Sequence, residues 1–171
     1  MSQEQVVEIC QLFADRSIDC WLVGGWGVDA LLGAQTRAHK DLDVLIRVED
    51  VAMVMRLLEA RGFRFAYEWP DQNRWVNEVE RIPTAFVMSH DDGSEVDFHA
   101  VRFMVDGTPC PEWDTDRSLS LGDLAGTGSI GGITVRCTTP DMQLRDHERY
   151  ELPSEHARDV DLLRKAFTPE D

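Results

Sequence analysis

An α/β fold built on a twisted mixed sheet with helices packed beside it is what this sequence predicts, and three observations carry the prediction. Short apolar runs alternate with stretches of helical periodicity, so the first third of the chain reads β-α-β-α after an opening helix. Segments of alternating polarity then suggest a meander, punctuated by the hairpin signal His90-Asp91-Asp92-Gly93. Helical spacing returns only near the C-terminus, after the cap-and-proline pair Thr139-Pro140.

Val6, Ile9, Cys10, Leu12 and Phe13 repeat at helical spacing, which predicts an amphipathic helix over residues 3–16. Cys20-Trp21-Leu22-Val23 is a short apolar run closed by Gly24-Gly25, a buried strand entering a tight turn. A helix over 27–33 follows, with Gly33 as its stop. Residues 41–48 form the next strand, and the acidic pair Glu49-Asp50 opens a helix that ends at Arg61-Gly62. Phe63–Trp69, Trp75–Val79, Thr84–Ser89 and Glu95–Val101 read as strands. Residues 105–128, rich in Gly, Pro, Asp, Ser and Thr, read as a long loop with at most a short helix near Leu119–Leu124. Ile133–Cys137 is a further strand, and helices follow from Pro140 and over 154–167.

With 171 residues the chain is long enough to bury an ordinary core without staples. Its four cysteines have no zinc-like or C-x-x-C spacing, so reduced thiols are expected. No apolar run approaches the roughly 20 residues of a membrane span, and the start of the chain lacks a signal-peptide pattern; a soluble, cytoplasmic protein with no membrane partner is expected. A formal net charge of −15 disfavours nucleic acid as a partner, because phosphates are bound by Lys and Arg. The acid surplus is heavier in residues 91–171 and favours a small cationic partner there; surplus carboxylates also serve solubility.

The chemistry-bearing residues cluster early. Gly24 and Gly25 let backbone N–H groups approach a phosphate, and Asp41 and Asp43, spaced i, i+2 on a strand, share one face where a divalent metal can lie between them. Asp97, flanked by Val96 and Phe98, shares its face with Glu95 and His99. Placed beside the Asp41–Asp43 strand it would complete a two-metal phosphoryl-transfer site; on an edge strand it would only be solvated. Arg37, His39 and Lys40, just before the acidic pair, are candidates for the β- and γ-phosphates, with a solvated loop as the equal alternative. Asp29 suits a role in fixing the loop through Arg37 or in favouring the helix dipole, more than metal binding. His147 and Tyr150 share a helix face, where nucleobase contact and ordinary packing both fit. Trp69, Trp75 and Trp113 suit core or interface packing, with an acceptor cleft as the alternative.

Gly24-Gly25-Trp26-Gly27-Val28-Asp29, with Thr36-Arg37-Ala38-His39-Lys40-Asp41-Leu42-Asp43, resembles the small antibiotic nucleotidyltransferases of the polymerase-β-like superfamily, among them lincosamide nucleotidyltransferases and aminoglycoside 2″-adenylyltransferases. Gln143 to Tyr150 resembles the lincosamide enzymes around its Gln, His and Tyr. The resemblance implies a nucleotidyltransferase core at 1–104, and a loop, strand and C-terminal helices at 105–171 that close the cleft. It implies a glycine turn for the triphosphate, Asp41, Asp43 and Asp97 as the acid triad, two Mg²⁺ ions, and ATP or another NTP as co-substrate. The acceptor would be a small cationic, hydroxyl-bearing molecule such as a lincosamide or aminoglycoside, and a homodimer is compatible with related enzymes. Gly-Gly-Trp replaces the Gly-Ser common in the superfamily, so backbone amides must serve where a serine hydroxyl would. Modification of a protein or tRNA, and non-catalytic nucleotide binding, are the competing readings; the acidity opposes the tRNA version.

Overall fold

Cys20–Val23 forms β1 and Asp41–Arg47 forms β2, antiparallel neighbours near the middle of one eight-stranded sheet. The computed structural model describes residues 1–70, 82–114, 116–147 and 154–167. Further strands are β3 (Arg64–Glu68), β4 (Ala85–Ser89), β5 (Glu95–Phe103), β6 (Pro109–Pro111), β7 (Gly126–Ile130) and β8 (Ile133–Cys137). Their order is β3-β4-β5-β2-β1-β8-β7, with β6 paired to β5. The β2–β5 and β1–β8 pairings are parallel and the rest antiparallel, so the sheet is mixed as expected. The expected strand at Trp75–Val79 lies outside the described residues.

Two helices each bury a stripe against this sheet. Helix α1 (Gln3–Ala14) starts at a capping box in which Ser2 and Gln5 satisfy each other's backbone N–H groups, and it buries Val6, Ile9, Leu12 and Phe13. Helix α3 (Val51–Glu59) buries Val51, Val54 and Leu58 on the same face of the sheet, against residues such as Leu42, Val44, Ile46 and Phe98. Leu42, Val44 and Ile46 alternate with Asp41 and Asp43, so this apolar face forces the carboxylates onto the opposite one. There a smaller cluster, including Trp21, Leu45, Trp113, Leu124 and Met142, supports the site. Met142 belongs to α4 (Pro140–His147), so the helices do not all lie on one side. Helix α5 (Ser154–Phe167) packs against α4 and α2 (Gly24–Leu32). Among the described residues no helix is long and apolar enough to cross a membrane.

Two elements depart from the sequence reading. The expected 27–33 helix begins at Gly24, so the double glycine is the first turn of α2; low glycine helix propensity concealed this. Strand β7 lies partly within the expected 105–128 loop. Its Gly126-Thr127-Gly128-Ser129 lacks the branched residues that mark strands, because β7 passes against α2: a Cβ on Gly128 would strike the Ala30 carbonyl. Among the described residues of that loop only the short β6 is otherwise regular, and no helix forms at Leu119–Leu124.

Gly128→Ala should therefore destabilise the fold by about 1–3 kcal/mol through forced separation of β7 and α2. Equilibrium denaturation checks this; an unchanged midpoint would show that the close approach costs nothing to relieve.

Candidate active site

The parallel register of β2 and β5 sets Asp41 opposite Glu95, Asp43 opposite Asp97 and Leu45 opposite His99. Register partners share a face, so two rows of carboxylates stand together at one end of the strands. Asp97 therefore lies on an interior strand beside the acidic pair, not on a solvated edge. The antiparallel partner of Asp43 on its other side is Val23, the residue immediately before α2. The acidic row thus ends at the helix start.

Val23 offers α2 no side-chain cap, which leaves first-turn amides available to an anion. Gly24 takes a φ of +58° and packs its bare Cα against Asp43, where a Cβ would collide with the carboxylate. A Cβ on Gly25 would meet the His39 ring, and Arg37 Nη2 at 2.9 Å. Both glycines thus open the backbone beside Asp43.

The loop that delivers the acidic pair is tied to α2 by Asp29, which is fully buried. Its carboxylate accepts from the Thr36 backbone N–H at 3.0 Å and hydroxyl at 2.6 Å, and lies 2.5 Å from His39 Nε2. The His39 ring packs on Trp26 with centroids 4.7 Å apart. Asp29 fixes the loop, then, but through Thr36 and His39. Arg37 instead donates from Nε and Nη2 to Asp159 on α5, with Nη2 at 2.8 Å, and Asp159 is buried. Nothing at sequence level linked these two residues, separated as they are by most of the chain.

Lys40 reaches Glu95 at 2.7 Å from a largely exposed position at the rim of the acidic face. His147 is buried; its Nδ1 lies 2.6 Å from the Gln143 carbonyl, and its ring meets His156 edge-on at 5.6 Å. Tyr150 lies outside the described residues. A cleft of about 530 Å³ is bordered by Gly24, Gly25, Asp41, Asp43, His99, Trp113, Gln143 and His147. Arg37, Lys40, Arg117 and Asp146 also line it. Gln143 Nε2 and Arg117 Nε are buried there without a hydrogen-bond partner. Such orphaned donors suit an oxygen-rich ligand.

Burial of charge is what sets the electrostatics. It pushes the Asp97 carboxyl up to about 7, against the pull of the Trp69 indole N–H and with help from Asp41 and Glu95. Burial, then Asp41 and Asp97, raise Asp43 well above the usual carboxylate range, and Arg37 counters them. Burial, assisted by Arg117, pushes His99 down to about 4, so it presents a neutral imidazole. Among the described residues no three or more His, Cys, Asp or Glu side chains are arranged to hold a metal ion by themselves. An all-oxygen set on an open face nevertheless fits Mg²⁺, which takes one or two carboxylates and completes its shell with waters and substrate phosphates.

A family model of aminoglycoside-2″-adenylyltransferases matches residues 5–163. The chain belongs to this family. It is accordingly a nucleotidyltransferase. A 2″-aminoglycoside nucleotidyltransferase of Klebsiella pneumoniae is 35% identical over 196 aligned positions, covering 98% of this chain and 97% of the relative. A lincosamide resistance protein of Staphylococcus haemolyticus is 24% identical over 167 residues, covering 96% and 95%. Among solved structures, the lincomycin-bound lincosamide adenylyltransferase LnuA superposes with a TM-score of 0.79 at 23% identity, covering 96% of this chain and 97% of its own. ANT(2″)-Ia in complex with adenylyl-2″-tobramycin gives 0.74 at 20%, covering 96% and 88%. These superpositions confirm the nucleotidyltransferase fold.

The Asp97 carboxyl makes stability pH-dependent in a definite direction. Its folded pKa lies above the ordinary value of about 4, so its contribution is full below that value and is lost as pH rises through about 7. The metal-free protein should lose roughly 5 °C or more of melting temperature between mildly acid and mildly alkaline buffer, and Asp97→Asn should flatten that slope. Thermal scans of both proteins without metal test this; parallel slopes would show that Asp97 ionises without cost.

Proposed function

We propose that the protein transfers a nucleoside monophosphate, most readily AMP from ATP, to a hydroxyl of a small amine-bearing antibiotic of the lincosamide or aminoglycoside kind. The observation that carries this reading is the placement of Asp43 between Asp97 on one neighbouring strand and the bare backbone of Gly24, just past the end of the other. That row would join a phosphate seat, an acidic ligand set and a proton acceptor at one end of the central strands. Family membership and the lincomycin-bound and tobramycin-derived complexes of related folds support the acceptor class. The acidic surface supports a cationic acceptor, drawn in by its charge.

Asp41, Asp43 and Asp97 would hold Mg²⁺, two ions being the arrangement typical of such sites. Bound magnesium supplies neutralisation of the triphosphate charge. The first-turn amides of α2 at Gly24 and Gly25 position the phosphate chain for in-line attack. The acceptor hydroxyl oxygen attacks the α-phosphorus; its bond to phosphorus forms as the bond to the bridging oxygen breaks, and pyrophosphate leaves. Asp97, paired with Asp43 across β5 and β2, would take the hydroxyl proton as general base. Gln143 and His147, which border the same cleft, would meet the nucleoside portion.

Asp41→Ala and Asp43→Ala should each abolish nucleotidyl transfer, by about a hundredfold or more, while the fold survives. Unchanged turnover in either would remove the metal assignment. A pyrophosphate-release screen of lincomycin, clindamycin, kanamycin, gentamicin and tobramycin against each NTP with Mg²⁺ tests the acceptor class. Release with at least one of these, abolished by EDTA, is expected. Tight Mg-NTP binding with no release from any of them would overturn the antibiotic acceptor.

A further inference from the structure

Strand β3 carries a bulge whose consequence lies at the active site. Phe65 pairs with Met88 and Tyr67 pairs with Val87, so two steps along β3 match one along β4. Without the extra residue, Phe65, Tyr67 and Trp69 would share one face. With it, Phe65 stacks on the core residue Phe86, with centroids 6.2 Å apart, while Tyr67 joins the row of Val87, Asp97 and Asp43. Trp69, tied by its backbone N–H to the Ala85 carbonyl, lies on that same site face.

The indole Nε1–H of Trp69 donates to both carboxylate oxygens of Asp97, at 3.2 and 3.0 Å. Tyr67 meets the Trp69 ring edge-on at 5.3 Å, and both aromatics remain more than a third exposed. Large exposed aromatics beside four carboxylates, Asp41, Asp43, Glu95 and Asp97, make a surface with two demands on a ligand. It favours a positive charge, through both the acids and the ring faces, and it favours a ring with an apolar face to lie on the indole.

We propose that Trp69, supported by Tyr67, is the acceptor-positioning residue: its N–H orients the Asp97 carboxylate while its exposed face receives the ring of a cationic, hydroxyl-bearing acceptor. This rests on the nucleotidyl-transfer reading above and adds to it where the acceptor lies. A carboxylate has lone pairs to spare, so one shared N–H leaves Asp97 free to accept the acceptor's proton. The two functions of the indole are separable by substitution. Trp69→Phe keeps an aromatic face and removes the donor; Trp69→Leu removes both.

Trp69→Phe should lower kcat about tenfold or more, the loss expected for one hydrogen bond to a charged group, with the acceptor KM nearly unchanged. Trp69→Leu should also raise the acceptor KM about tenfold, and Tyr67→Leu should raise it less without lowering kcat. The KM for the nucleotide should stay constant in all three. Independently of turnover, the ¹⁵N-indole NMR signal of Trp69, assigned by its loss in Trp69→Phe, should move in Asp97→Asn and again when lincomycin or tobramycin is added to the wild-type protein. Turnover with no indole shift, or variant kinetics that follow nucleotide rather than acceptor, would overturn the assignment of Trp69 and leave the reaction standing. An indole shift without turnover would overturn the reaction and leave the acceptor platform standing, and neither shift nor turnover would overturn both.

Discussion

Parallel pairing of β2 with β5 is the constraint on which the rest of this structure depends. It holds Asp41 against Glu95 and Asp43 against Asp97, like charges on adjacent strands that repel and are partly desolvated. Such a pairing survives only because the other face of the same strands is fully apolar. Leu42, Val44 and Ile46 of β2 and Val96, Phe98 and Ala100 of β5 are buried beneath α1 and α3. Slipping either strand by one residue would relieve the repulsion but expose that whole set. The core therefore enforces the electrostatic strain on the carboxylate row.

What could be read in the chain follows from which interactions are local. Alternation alone placed Asp41 with Asp43, and Glu95 with Asp97 and His99, on shared faces; the structure shows both sets on one surface. The double glycine beside the acidic pair, and the resemblance it supported, led to the family to which the chain belongs. The start of α2 was obscured because glycine is a poor helix former, although its backbone is needed beside Asp43. Strand β7 was obscured for a related reason, since its glycines answer to close approach by α2. The Arg37–Asp159 pair and the Trp69–Asp97 contact are long-range, and no pattern in one sequence announces them. A bulge is equally silent, because it changes register without changing composition.

The loop before β2 shows how a few buried polar contacts can organise a site. Asp29 spends its carboxylate on Thr36 and His39, both of them loop residues, and the His39 ring then rests on Trp26 and beside Gly25. Arg37 carries the same loop to Asp159 on the last helix. Helix, loop and C-terminal helix are in this way referenced to the two glycines. Motion of α5 would be felt at Gly25 through the Arg37 guanidinium as well as through direct packing on α2, because Arg37 Nη2 lies beside Gly25 as well as on Asp159.

The β3 bulge has a meaning beyond the site it shapes. Among the described residues strand β3 pairs only with β4 and marks the margin of the sheet. Gain or loss of one residue there would exchange which aromatic side chains face the carboxylates and which face the core, without disturbing the β2–β5 pairing. Length change at a margin is among the easiest alterations for a fold to absorb. A lineage built on this scaffold thus has a route to altering the aromatic surface beside the carboxylates by insertion and deletion in β3, while the β2–β5 pairing, which begins two strands further in, stays as it was.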